Sequence, residues 1–139
     1  MKRVLVDTGP LVAIAEPRDQ YHDLCVQTLK KLPGPMFSCW PVITEAAWLL
    51  RYDARAVRQL LDSLAAGLVE ILSLQSTEAS QVAKVMERYR SLRPQLADAA
   101  LVHLAARDGM DTIFTLDRRD FSSYRSAKNR PFHIIPEVE

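Results

Sequence analysis

Five short apolar runs, Val4 to Val6, Met36 to Cys39, Leu68 to Leu72, Thr112 to Thr115 and Phe132 to Ile135, alternate with longer stretches whose apolar residues recur at helical spacing. Runs of this kind suit a pleated, largely buried surface, and strands separated by helices can pair side by side in parallel when each return is a right-handed helical crossover. The alternation therefore predicts an α/β protein, a three-layer α/β/α sandwich with a mainly parallel central sheet. The intervening segments read as a turn at Thr8, Gly9 and Pro10 leading into a short helix over Leu11 to Ala15, then helices over Tyr21 to Leu32, Val42 to Tyr52, Ala54 to Leu64, Ser76 to Arg90 and Leu96 to Arg107. Pro33, Gly34 and Pro35 stop the second of these, Pro94 closes the fifth, and Asp108 with Gly109 ends the last.

The chain of 139 residues suits one domain spanning residues 1–139, order being expected everywhere except the last few residues. Its 48% hydrophobic and 25% charged content, without repeats or biased tracts, is that of an ordinary globular protein. A formal net charge of +1 says nothing by itself about a nucleic-acid partner, so any such reading rests on where the basic residues fall. Cys25 and Cys39 form no metal-type spacing and read as reduced, small apolar residues of a cytoplasmic protein. Asp7 interrupts the first apolar run too soon for a signal peptide, and the longest uncharged stretch, Leu32 to Thr44, is short and holds Pro33, Pro35 and Pro41. No membrane association is expected.

Chemistry enters with the acids. Surface acids such as Glu87, near Lys84 and Arg90, and Asp62, four residues after Arg58, have basic partners at helical spacing. Asp7, Glu45, Asp98 and Asp117 do not. In a parallel sheet, ligands bind at the carboxyl ends of the strands, where Asp7 and Asp117 lie. Helices that follow one strand or precede the next begin near that edge, which brings Glu45 and Asp98 there too. Each acid also has a simpler reading: Asp7 and Asp117 as turn or cap residues, Glu45 and Asp98 as first-turn acids favoured by a helix N-terminus. Caps would scatter over both edges, whereas all four acids are expected at one. Such a cluster stays ionised only around positive charge, and an oxygen-only donor set suits Mg²⁺ or Mn²⁺, one ion or two, for metal-assisted hydrolysis.

Around this centre, Thr115, Thr8 and Asp120 are candidates to orient the carboxylates or a metal-held water. His22, His103 and His133 have no ligand spacing, which disfavours zinc. Arg118, Arg119, Arg125, Lys128 and Arg130, interleaved with Phe121 and Tyr124, form the densest basic stretch and are candidates to hold RNA phosphates while the aromatic rings stack on bases. Arg51, Arg55 and Arg58 make a weaker patch.

The segments VLVDTGP (Val4 to Pro10), Glu45 within Thr44 to Leu50, LADAALVHLA (Leu96 to Ala105) and FTLDRRDF (Phe114 to Phe121) resemble the PIN-domain nucleases, in order and spacing, over essentially the whole chain. The four acids of that family fall on Asp7, Glu45, Asp98 and Asp117, and its frequent hydroxyl two residues before the last acid falls on Thr115. Gly9 stands where many relatives carry Ser or Asn. Compact members look like the toxin halves of VapC-type toxin–antitoxin pairs. The resemblance thus implies a Mg²⁺- or Mn²⁺-dependent endoribonuclease acting on RNA, a homodimer, and a small antitoxin protein that blocks the site. The alternatives are a free-standing PIN-domain RNA-processing nuclease, a non-catalytic RNA- or protein-binding module of the same fold, and a phosphoryl-aspartate hydrolase. Gly9, in place of a second acid, and the lack of any lysine between Leu32 and Ala83 weigh against the last.

Overall fold

The computed structural model describes residues 2–137, and the expectation for the last few residues lies partly outside that range. Its strands are β1 (Val4–Val6), β2 (Met36–Ser38), β3 (Val69–Ile71), β4 (Thr112–Phe114) and β5 (His133–Ile135), each shorter at one or both ends than its apolar run except β1. They form one sheet in the order β3-β2-β1-β4-β5, and every neighbouring pair is parallel. The chain builds outward from β1 in one direction through β2 and β3, then returns to β1's other side for β4 and β5. The reversal between β1 and β4 is a topological switch point, where the crossover helices diverge and leave a crevice beyond the carboxyl ends of the strands.

The helices are α1 (Thr8–Ala15), α2 (His22–Lys30), α3 (Trp40–Leu49), α4 (Ala54–Ala65), α5 (Ala79–Arg88), α6 (Leu96–Asp108) and the short α7 (Arg118–Phe121). α1 packs with α2 and α4, α5 packs with α6, and α3 touches both α1 and α6. One expectation is corrected at the first crossover. Thr8, Gly9 and Pro10 are the first turn of α1, not a separate turn, and Pro10 fits there because the opening N–H groups of a helix lack intrahelical partners anyway. The predicted Ser76 to Arg90 helix opens as a 3₁₀ turn over Ser76–Glu78, with Gln75 and Glu78 forming a capping box, before α5 proper.

α6 carries the centre of the core. Ala97, Ala99, Ala100, Leu101, Val102, Leu104 and Ala105 are all buried on it, and they pack near Leu5, Val6, Ile113 and Phe114 of the two central strands. The small alanines let this helix lie close to its neighbours on several sides, which sets Asp98, near its start, at the crevice. Gly109 ends it with φ +70°, its N–H donating to the Ala105 carbonyl. Because side chains resist that left-handed backbone, Gly109→Ala is expected to cost about 1 kcal/mol, read by urea denaturation. Cys25 and Cys39 are buried and free, and burial pushes both thiols up to about 11, consistent with packing roles. Among the described residues no helix is long and apolar enough to cross a membrane.

Candidate active site

At the switch point the β1 and β4 termini lie side by side, Val6 paired with Phe114 and the Asp7 N–H donating to the Phe114 carbonyl at 2.9 Å. One residue beyond β4, Thr115 is 1% exposed and joins the two strand ends through its hydroxyl. That hydroxyl donates to Asp7 Oδ2 at 2.8 Å and accepts from the Asp117 N–H at 2.9 Å. A single buried threonine therefore orients the first acid and positions the backbone of the last.

Asp7, Glu45, Asp98 and Asp117 line one cavity of about 560 Å³, together with Thr8, Gly9 and Asp120. Glu45 is half-buried and comes from α3, but not from its first turn, which holds no acid. A helix-terminus role therefore does not account for Glu45, because the macrodipole effect fades beyond the first turn. Asp98 is in the first turn of α6 and closes a capping box, accepting from the Gln95 N–H at 3.3 Å. Asp117 caps α7, accepting from the Asp120 N–H at 3.1 Å. For these last two, capping and cavity lining are simultaneous.

The electrostatics of the cavity are those of crowded like charges. Burial pushes Asp7 up to about 6, with Glu45 and Asp117 adding repulsion, while the Thr115 hydroxyl pulls the other way. Burial also pushes Asp98 up to about 7, with Asp7 the foremost repelling neighbour. Asp120 is raised by burial and by Asp117. Among the described residues no three His, Cys, Asp or Glu side chains form a closed ligand cluster. The donor set nonetheless suits a hard divalent cation: it is all oxygen, it is short of positive charge, and the buried Thr8 hydroxyl on its wall has no hydrogen-bond partner. The histidines are elsewhere. His22 Nδ1 donates to the Ala13 carbonyl, and His103 and His133 engage Glu78 and Glu137.

Two residues not singled out from sequence also line this cavity, Arg93 and Gln95. Among the described residues Arg93 is the sole basic side chain on the wall, and it takes a left-handed backbone, φ 50° and ψ 56°, at the end of the 3₁₀ turn Arg90–Leu92. Its only sequence hint was its place just ahead of the helix that carries Asp98.

The basic stretch divides. The Arg118 guanidinium donates to the Pro136 carbonyl at 2.8 Å, and Arg119 and Arg130 are exposed. Arg125 and Lys128 line a separate cavity beside α5 and α6. Phe121 and Tyr124, expected to stack on bases, are instead fully buried. They pack edge-to-face with each other at 5.0 Å, and Tyr89 and Phe132 extend the aromatic cluster. Core packing takes both rings out of reach of any ligand. In the weaker patch, Arg51 lies over the Trp48 and Tyr52 rings, and Arg58 pairs with Asp62 at 2.9 Å.

Fold and cavity together define a class: a parallel α/β protein with a carboxylate-lined crevice at the switch point of its sheet. The chain belongs to the PIN domain family, whose sequence profile matches residues 4–126. It is 30% identical over 135 residues to Ribonuclease VapC26 of Mycobacterium tuberculosis (strain ATCC 25618 / H37Rv), an alignment covering 96% of this chain and 100% of that protein. The crystal structure of Mycobacterium tuberculosis VapC20, a Sarcin-Ricin loop cleaving toxin, superposes with a TM-score of 0.76 at 16% identity, covering 84% of this chain and 91% of VapC20. At that identity the superposition speaks for the fold.

Proposed function

We propose that this chain is an endoribonuclease that hydrolyses RNA phosphodiester bonds with Mg²⁺ or Mn²⁺, and that it is the toxin component of a toxin–antitoxin pair. The observation that carries the nuclease reading is the switch-point cavity, where Asp7, Glu45, Asp98, Asp117 and Asp120 face a single arginine. The similarity to Ribonuclease VapC26 along its full length supports RNA as the substrate. The VapC name of that relative, together with the compact PIN domain, supports the toxin role.

Asp7, Asp98 and Asp117, with Glu45 directly or through water, would hold one or two ions. Bound there, such an ion supplies Lewis-acid activation of water and neutralises charge at the scissile phosphate. The chain's own residues prepare that site. Thr115 holds the Asp7 carboxylate in place, Gln95 steadies Asp98, and Asp117 is braced from both sides by Thr115 and the Asp120 N–H. The Thr8 hydroxyl is available to orient a water. Arg93, the one basic side chain among the described residues of the wall, offers positive charge to an incoming phosphate, with Arg118 and Arg119 further along α7.

The protein works as a single catalytic domain in the cytoplasm. Its partners are RNA, a second copy of itself and a small antitoxin protein. Exposed Trp40, Trp48, Leu49 and Leu96, close to the cavity, supply the apolar surface that self-association requires. The second reading, a processing nuclease with no antitoxin, differs only in partner. Expression with and without the neighbouring reading frame, followed by mapping of RNA cleavage ends, separates the two. Growth arrest with new RNA ends, relieved by the neighbour, is expected of the toxin. Cleavage without arrest would replace that role with processing, and no cleavage in either case would overturn the nuclease reading.

A further inference from the structure

The protein's net charge of +1 conceals a strong separation of charge. Besides the acidic crevice there is a second cavity, about 270 Å³, between α5, α6 and the segment 125–129. Lys84, Arg88, Arg125 and Lys128 line it, with His103 and Asn129, and no carboxylate is on its wall. Among the described residues none of these four cations makes a salt bridge. His103 is occupied by Glu78 at 2.8 Å.

The fold assembles this cluster from distant parts of the chain. Arg88 Nη2 donates to Asn129 Oδ1 at 2.8 Å, tying α5 to the 125–129 segment. Lys128 and Asn129 both take left-handed backbone, φ 56° and 59°, a conformation uncommon outside glycine. Arg125 Nη1 donates to the carbonyls of Ser122, Ser123 and Tyr124, which holds that guanidinium in place.

We propose that this basic cavity is a second binding site, for phosphates of an RNA strand whose scissile bond lies in the acidic crevice. The inference rests on the ribonuclease reading above. A crevice lined by five acids and one arginine repels a polyanion, so affinity has to come from cations elsewhere, through release of the strand's counterions. The two cavities are joined by one stretch of chain. Asp117 and Asp120 stand on the acidic wall with Arg118 and Arg119 between them in the chain, and Arg125 and Lys128, five and eight residues beyond Asp120, stand on the basic one. They also share α6, from Asp98 at one to Val102 and Ala106 at the other, a rise of about 6 to 12 Å along the helix. A strand leaving the crevice along α7 meets the basic cavity next.

The test uses the full chain in an Asp7→Asn background, which prevents cleavage, with a fluorescent single-stranded RNA oligonucleotide titrated at several salt concentrations. Replacing Lys84, Arg88 and Lys128 together by Ala leaves the structural Arg125 intact. This variant is expected to bind at least about tenfold more weakly at low salt, and its slope of log affinity against log salt should be shallower by about 2, at about 0.7 per phosphate contact. The charge-preserving set Lys84→Arg, Arg88→Lys and Lys128→Arg should retain the parent's slope. An alanine variant with unchanged affinity and slope would overturn the inference. So would inorganic phosphate binding that depends on these residues while RNA affinity does not, since the cavity would then serve a free anion. A parent that binds no RNA at any salt would instead remove the ribonuclease reading itself, and this inference with it.

Discussion

Asp7→Asn and Asp98→Asn proteins are expected to fold and yet to lose metal-dependent RNA cleavage by at least about 100-fold, the upper end of what removing an outer-shell partner costs a metal site. Folding should survive because the cavity asks for shape and hydrogen bonding at these positions, not for charge. The Thr115 hydroxyl that donates to Asp7 can donate equally to an asparagine carbonyl oxygen. The opposite signs of two readouts make the expectation demanding. Without metal, Asp7→Asn should be more stable than the wild type at pH 8, because a buried carboxyl pushed from 3.8 to about 6 burdens the folded state by about 3 kcal/mol once ionised. With Mn²⁺ the order should reverse, since a ligand that binds only the folded state raises its melting temperature and the variant has lost a ligand. Full activity in either variant would remove the proposed centre.

The second large effect is a pH dependence that changes direction with metal. In the metal-free protein the folded values of Asp7 and Asp98, about 6 and about 7, lie above the ordinary 3.8. Between roughly pH 4 and 7 the folded state therefore holds more protons than the unfolded one, and stability contributed by these groups falls as pH rises through that window. Glu78 does not mask this. Its hydrogen bonds to the Gln75 N–H, His103 and Arg107 hold it at about 2, so its contribution is lost only in stronger acid. Metal binding requires the same carboxyls deprotonated, so Mn²⁺ affinity should strengthen by about tenfold per pH unit for each proton displaced across the same window. Thermal melts at pH 5 and 8, each with and without Mn²⁺, check both halves. A metal-free protein more stable at pH 8 than at pH 5 would contradict the crowding of charge seen in the crevice.

Much of this architecture was legible because its signals are local. Val4 to Val6 and Thr112 to Phe114 declare themselves as buried strands, and an acid just past each has few places to go in a parallel sheet other than the carboxyl edge. Asp98 was legible as the acid near the start of the Ala- and Leu-rich Leu96 to Arg107 helix, with no basic partner at helical spacing to explain it. The depth of Glu45 within α3 was not, because Pro41 reads as readily as part of a preceding loop as it does as a residue of the first turn. The aromatic rings of Phe121 and Tyr124 misled for a different reason. A short helix surrounded by arginines looks solvated, yet the chain turns back at Arg125 and Pro131 and folds those rings under Tyr89 and Phe132. Arg93 was invisible because its position depends on a single left-handed backbone angle that no spacing rule reports.

The shared Thr115 hydroxyl has a consequence for when the proposed nuclease site is completed during synthesis of the chain. Asp7 emerges almost at the start of translation, but its orienting partner is 108 residues later. The pairing that joins them rests on three register contacts, Val4 with Thr112, Leu5 with Ile113 and Val6 with Phe114. A slip of one residue would carry Thr115 about 3.3 Å along the strand and turn it to the opposite face. A nascent chain that stops short of Thr115 lacks Asp117 as well, and a misregistered one has the acids without the geometry, so cleavage competence at the proposed site arrives late, with closure of the β1–β4 pair.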